Sequence, residues 1–69
     1  MKLNVYGRKI EIIRKQSQWT VFYLGNEGKK RTAYDIIIPE ELKENEIENY
    51  IEDLLHEWAT PLNNKIFHI

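Results

Sequence analysis

The chain has no cysteine, and glycine and proline are scarce, with three and two copies. Without thiols there is no disulfide staple, no thiolate metal site and no cysteine nucleophile, so packing or oligomerisation must stabilise the fold. Nothing approaches the roughly 18 consecutive apolar residues of a membrane span. The opening stretch MKLNVYGRKIEI alternates polar and apolar residues, unlike a signal peptide. These absences predict a soluble chain, and the lack of cysteine fits a cytoplasmic setting.

Chemistry-bearing residues are equally thin. His56 and His68 are the only imidazoles, and Ser17 is the only serine. HEWAT, residues 56–60, opens like a zinc-protease helix but has Thr60 where the second His is required. Carboxylates alone would have to complete a zinc site. Gly25 and Gly28 do not form a phosphate cradle, because the G-x-x-x-x-G-K-[ST] arrangement is missing and a strand follows them. No spacing singles out a catalytic carboxylate pair. No catalytic residue, metal site or cofactor is therefore expected, and the chain is read as a non-enzyme.

What is present is a small, charged, aromatic-containing domain. Its 69 residues make one unit, 1–69, with 62–69 as a C-terminal tail. A domain of that size buries only about 60% of the surface its unfolded chain exposes, so each apolar stripe is presumed structural. Net charge is −1, but residues 1–35 carry eight Lys or Arg against three acids, while residues 36–69 carry two Lys against eight acids. Such asymmetry marks either an interaction surface or two halves that neutralise each other on folding.

Apolar periodicity is two up to residue 38 and helical afterwards. KLNVY and KIEIIR alternate on either side of Gly7 and Arg8, which predicts a type II′ hairpin with Leu3 opposite Ile12 and Val5 opposite Ile10. The rival is one strand kinked at Gly7. KQSQ closes the next reversal, WTVFYL is a strand, GNEG is a four-residue loop at 25–28, and KKRTAYDIII is the last strand. Trp19, Val21, Tyr23, Tyr34, Ile36 and Ile38 then share the face of Ile10 and Ile12, and Ala33 falls on the other. Pro39 ends the sheet. Asn45 with Glu48 has capping spacing, and a helix is expected over 46–58 with Ile47, Tyr50, Ile51, Leu54, Leu55 and Trp58 as its apolar stripe. Asn63 and Asn64 suit a turn, and the apolar tail is expected to pack back on the domain or on a partner. The predicted fold is α+β: an antiparallel three- to four-stranded β-meander with one C-terminal α-helix packed on one face, β-β-β-β-α.

Two candidate surfaces follow. Antiparallel pairing collects Arg8, Lys9, Lys29, Lys30 and Arg31 at one end of the sheet, suited to phosphate or an acidic partner, with Trp19, Phe22, Tyr23 and Tyr34 as conceivable base-stacking residues. A net charge near zero argues against a nucleic-acid binder. The helix C-terminus and Glu57 would also arrive there and neutralise the cluster. The second surface is the sheet face that one helix cannot cover, carrying Ile13, Phe22, Leu24, Ala33 and Ile37, which predicts a protein partner or a homodimer. The acidic helix face, Glu48, Glu52 and Asp53, is a further contact candidate of the kind that small inhibitor proteins present to a basic enzyme site.

The strings WTVFYLGNEGKKRTAYDIIIP and ENYIEDLLHEWATP resemble a group of short bacterial proteins of unknown function over roughly residues 3–61. The resemblance implies a free-standing bacterial protein and brings no activity, ligand or site residue. The expected role is a non-catalytic protein-interaction or regulatory module, the alternative being nucleic-acid binding through the basic cluster.

Overall fold

The structure, a computed structural model, describes residues 1–25 and 28–69. Strands β1 (Lys2–Val5), β2 (Arg8–Lys15), β3 (Gln18–Leu24) and β4 (Lys30–Thr32) precede helix α1 (Glu44–Leu54), a 3₁₀ turn (His56–Trp58) and strand β5 (Ile66–His68). They form one antiparallel sheet in the order β4-β3-β2-β1-β5, with α1 on one face. The class is α+β as expected, but the sheet has five strands.

The first hairpin turns one residue earlier than the Gly7–Arg8 pair suggested. Its central residues are Tyr6 (φ 52°) and Gly7 (φ 90°), and positive φ at both is the type I′ geometry that matches strand twist. Leu3 consequently faces Ile10 and Val5 faces Arg8. The register is displaced by two residues along β2, and a shift of two preserves side-chain parity. Leu3, Val5, Ile10 and Ile12 therefore still share the buried face. Glycine is required at position 7 twice over: its φ is left-handed, and a Cβ there would come within 2.9 Å of Asn63 Cγ. Tyr6 tolerates the same region because its ring is buried and its N–H donates to the Lys65 carbonyl at 3.1 Å. The second hairpin turns on Gln16 (φ 52°) and Ser17 (φ 64°), joining Lys15 to Gln18.

Strand β3 pairs Ile10 with Tyr23 and Ile12 with Val21, so these residues share one face as expected. Asn26 and Glu27 of the expected 25–28 loop lie outside the described residues. β4 ends at Thr32, well short of Pro39. Ala33, placed on the open face by sequence parity, instead donates its N–H to Val21 O and is buried. A turn then runs from Ala33 to Ile36, closed by the Ile36 N–H to Ala33 O bond. That turn changes the phase, leaving Tyr34 85% exposed while Ile36 and Ile38 return to the core.

Helix α1 begins two residues ahead of the expected 46 and ends well before 58. Its N-cap is Lys43 rather than Asn45; the Lys43 N–H donates to Glu46 Oε1 at 3.0 Å, the backward half of a capping box. Glu44 and Glu46 in the first turn face the positive end of the helix dipole. Ile47 and Ile51 are fully buried and Leu55 nearly so. Leu54, assigned to the apolar stripe by spacing, is 41% exposed, because the buried stripe on so short a helix is narrow. The last turn tightens into 3₁₀ geometry and carries Trp58 to the sheet end.

The tail expected at 62–69 is a sheet strand in part. β5 pairs with β1, Leu3 with His68 and Val5 with Ile66. At the far end of the sheet, Trp19 Nε1 donates to Leu42 O at 3.0 Å and Arg14 donates to Glu40 O at 3.0 Å, tying the β4–α1 connection down.

Candidate functional site

Strand parity decides which cations meet. Arg31 pairs with Tyr23 and Arg8 is in phase with Ile10, so both rise on the helix side of the sheet, while Lys9 and Lys30 fall on the outer side. Arg8, Lys9 and Arg31, with Gly7, Tyr23 and Leu24, line an open cavity of about 490 Å³ at the sheet end. Three of the five expected cations are thus brought together. Lys30 turns to the outer face and pairs with Glu11 at 3.1 Å. Lys29 does not line the cavity.

The helix C-terminus reaches this end as expected, but it delivers an aromatic ring instead of a neutralising carboxylate. The Arg8 guanidinium lies 4.5 Å from the Trp58 ring centroid, the Arg31 guanidinium 6.0 Å from that of Tyr23, and the two rings are 6.2 Å apart. Among the described residues no carboxylate, Glu57 included, is within ion-pair distance of Arg8, Lys9 or Arg31. An acid reaches the cluster through a phenol: Tyr23 Oη lies 2.9 and 2.8 Å from the two Asp35 carboxylate oxygens. Partial burial, then the bond to Asp35, push the Tyr23 phenol above its ordinary range, against the pull of Arg8 and Arg31.

Arg14 provides an internal comparison. It also stacks on an aromatic, 4.8 Å from the Trp19 centroid, but its N–H groups are engaged by the Glu40 and Leu42 carbonyls. Arg8 and Arg31 donate no side-chain hydrogen bond to any described residue. Stacking fixes a guanidinium by its face and leaves its in-plane donors available.

Among the described residues, no helix or strand lies over the outer face of the sheet. Register places Lys2, Lys9, Lys15 and Lys30 there with Glu11 as the one acid among the described residues, and Ile13, Phe22, Leu24 and Phe67 lie between them. Of the expected apolar patch, Ile13, Phe22 and Leu24 are half-buried on this face. Ala33 is in the core instead, and Ile37, 74% exposed, lies past the turn beside Tyr34 at the β3 edge. The Phe22 ring is capped by the Lys30 ammonium at 4.9 Å. The Lys30 hydrogen bond holds the Glu11 carboxyl below its usual value, with Lys2 adding to the effect.

On the acidic helix, Glu48 meets His68 Nε2 at 3.2 Å and so contacts β5, while Glu52 and Asp53 are exposed. His56 is exposed in the 3₁₀ turn. Sequence reasoning missed Trp58 and Asp35 at the cavity end and Lys2, Lys15 and Phe67 on the outer face. An alternating I-F-H triplet after the Asn63–Asn64 pair was the available signal for Phe67.

The chain belongs to the family described as Domain of unknown function (DUF7661), whose model matches residues 1–69. No curated protein and no solved structure matches it.

Proposed function

We propose that this family member is a non-catalytic interaction module that receives an acidic protein partner on the outer face of its sheet. One observation carries the reading: among the described residues, a face with no covering element holds four lysines against one glutamate, with apolar side chains between them. The apolar residues offer area to bury on binding, and the lysines steer an acidic surface into register. The same lysines repel a second copy of the face, so a hetero-complex is favoured over the homodimer. A cytoplasmic site of action fits a cysteine-free chain in which no helix among the described residues is long and apolar enough to cross a membrane.

Nucleic acid is the competing occupant, favoured by the cationic character of the face. Stacking residues are its weak point: Lys30 already covers the Phe22 ring, which leaves Phe67 as the exposed phenyl on this side. Capture from source cells, analysed for protein and nucleic acid, tests the reading. Lys2→Glu with Lys15→Glu is expected to abolish capture of a protein, whereas Glu52→Lys with Asp53→Lys leaves it intact. The opposite pattern transfers the role to the helix face. A mobility shift at low salt with DNA or RNA, lost in the lysine variant, replaces the protein partner with a nucleic acid.

A further inference from the structure

We propose that Arg8, Lys9 and Arg31 form a phosphate-binding site in the cavity where the end of the helical segment meets the sheet, taking a small molecule that carries a phosphate or pyrophosphate group. The site shares Lys9 with the outer face, but it rests on Arg8 and Arg31 and does not depend on that reading.

The cavity, about 490 Å³, is within the range of ligand pockets and opens to solvent. Of the two guanidinia on its wall, Arg8 lies close over the Trp58 ring, 4.5 Å from its centroid, and Arg31 more loosely over the Tyr23 ring at 6.0 Å. A planar guanidinium held by its face presents paired N–H donors along its edge, the geometry that grips two oxygens of one oxyanion. Arg14 has the same stacking, but its donors end on backbone carbonyls. Arg14 fastens a loop; Arg8 has comparable positioning, and neither Arg8 nor Arg31 has a described acceptor. Lys9 borders the cavity from the outer side of the sheet and is the residue this site shares with the outer face.

Two guanidinia, with Lys9 at the border of the cavity, favour a dianionic or more highly charged group over a single carboxylate. The aromatic faces nearest the site are already occupied by guanidinia, so recognition falls on the phosphate rather than on a stacked base. Asp35, held by Tyr23 Oη, opposes an anion in this region, and that opposition keeps affinity moderate.

The test uses the full chain, ¹⁵N-labelled, titrated with inorganic pyrophosphate and separately with inorganic phosphate at neutral pH and constant ionic strength. Arginine Nε–H resonances are read, with Arg14 as the reference within the same molecule. Saturable shifts at Arg8 and Arg31 but not at Arg14, tighter for pyrophosphate than for phosphate, are expected. Losing a hydrogen bond to a charged group weakens binding by about 10- to 100-fold, so Arg8→Gln and Arg31→Gln should each weaken pyrophosphate by at least about tenfold while Arg14→Gln leaves it unchanged. If Arg8→Gln loses the fold, Arg8→Lys retains the charge without the paired edge and should still weaken binding. Linear shifts shared by all three arginines, or unchanged affinity in both variants, overturn the proposal. Citrate binding as tightly as pyrophosphate overturns the phosphate assignment.

Discussion

Ile51 and Leu54 lie less than one turn apart on α1, yet Ile51 is fully buried and Leu54 is 41% exposed. Replacing Ile51 by Ala removes about three methylene-sized groups, and at about 0.8 kcal/mol each the lost transfer energy is roughly 2.4 kcal/mol. The cavity left behind adds to this, and core truncations of this type fall at about 2–5 kcal/mol, so about 3.5 is expected. Leu54→Ala deletes the same number of carbons from a partly wet site and should cost about 1 kcal/mol, since a truncated side chain at the surface leaves no sealed void. Urea unfolding followed by far-UV circular dichroism reads both. With a slope of about 1 kcal/mol per molar for so small a chain, the midpoint should fall by about 3.5 M for Ile51→Ala and about 1 M for Leu54→Ala. A small domain has stability near the low end of about 5–15 kcal/mol, so Ile51→Ala could leave no folded baseline. Ile51→Val, at about 1 kcal/mol, then supplies the comparison per methylene removed. Equal loss per carbon at the two positions would refute the helix orientation described above.

Gln16 and Ser17 both have left-handed backbone, so converting the pair to Asn-Gly should stabilise the domain by roughly 1 kcal/mol, seen as a higher urea midpoint; a lower midpoint would contradict the type I′ turn. Glu11 titrates below the ordinary 4.5 because of Lys30, so its contribution is complete above that value and disappears as pH falls through the folded pKa. Lys30→Gln should move the Glu11 carboxyl midpoint upward in a side-chain NMR titration, and an unmoved midpoint would assign the effect to Lys2 instead. Tyr23 titrates above its ordinary 10.0, so its contribution is intact below that pH and is lost as pH rises through the folded pKa. Asp35→Asn should bring the tyrosinate absorbance transition down; no change would remove Asp35 as a cause.

The parts of the fold legible in the chain were those governed by parity. Leu3, Val5, Ile10, Ile12 and Val21 were placed on the buried face even though the first turn was assigned one residue late, because moving a register by two leaves every side chain on its own side. Ala33 and Tyr34 were misplaced for the same physical reason in reverse: a turn from Ala33 to Ile36 changes the phase, and no Gly or Pro lies within it to announce the change. The helix end was overrun because His56–Trp58 continues an apolar spacing in 3₁₀ form. At the cavity, antiparallel tracing set five cations at one end of the sheet, and three of them, Arg8, Lys9 and Arg31, line it. What tracing could not supply was Trp58 under Arg8, which depends on where that tightened last turn points.

The distribution of the two cationic residue types follows from their chemistry and gives the molecule two different positive surfaces. All three arginines rise on the helix side, each over an aromatic ring: Arg8 on Trp58, Arg14 on Trp19 and Arg31 on Tyr23. The lysines of the strands point to the outer face instead. A guanidinium is planar and weakly hydrated, so it can lie against the rim of a small core at little desolvation cost, whereas an ammonium retains its water. The rim arginines therefore extend the hydrophobic core outward and hold directional donors, while the outer lysines supply a diffuse field. A rigid, directional surface discriminates one oxyanion geometry, and a diffuse one attracts any acidic surface that also brings apolar area. Exchanging the roles tests this division: Arg8→Lys retains net charge but loses ring stacking, so it should disturb the cavity end, whereas Lys15→Arg on the exposed face should change neither stability nor cavity binding.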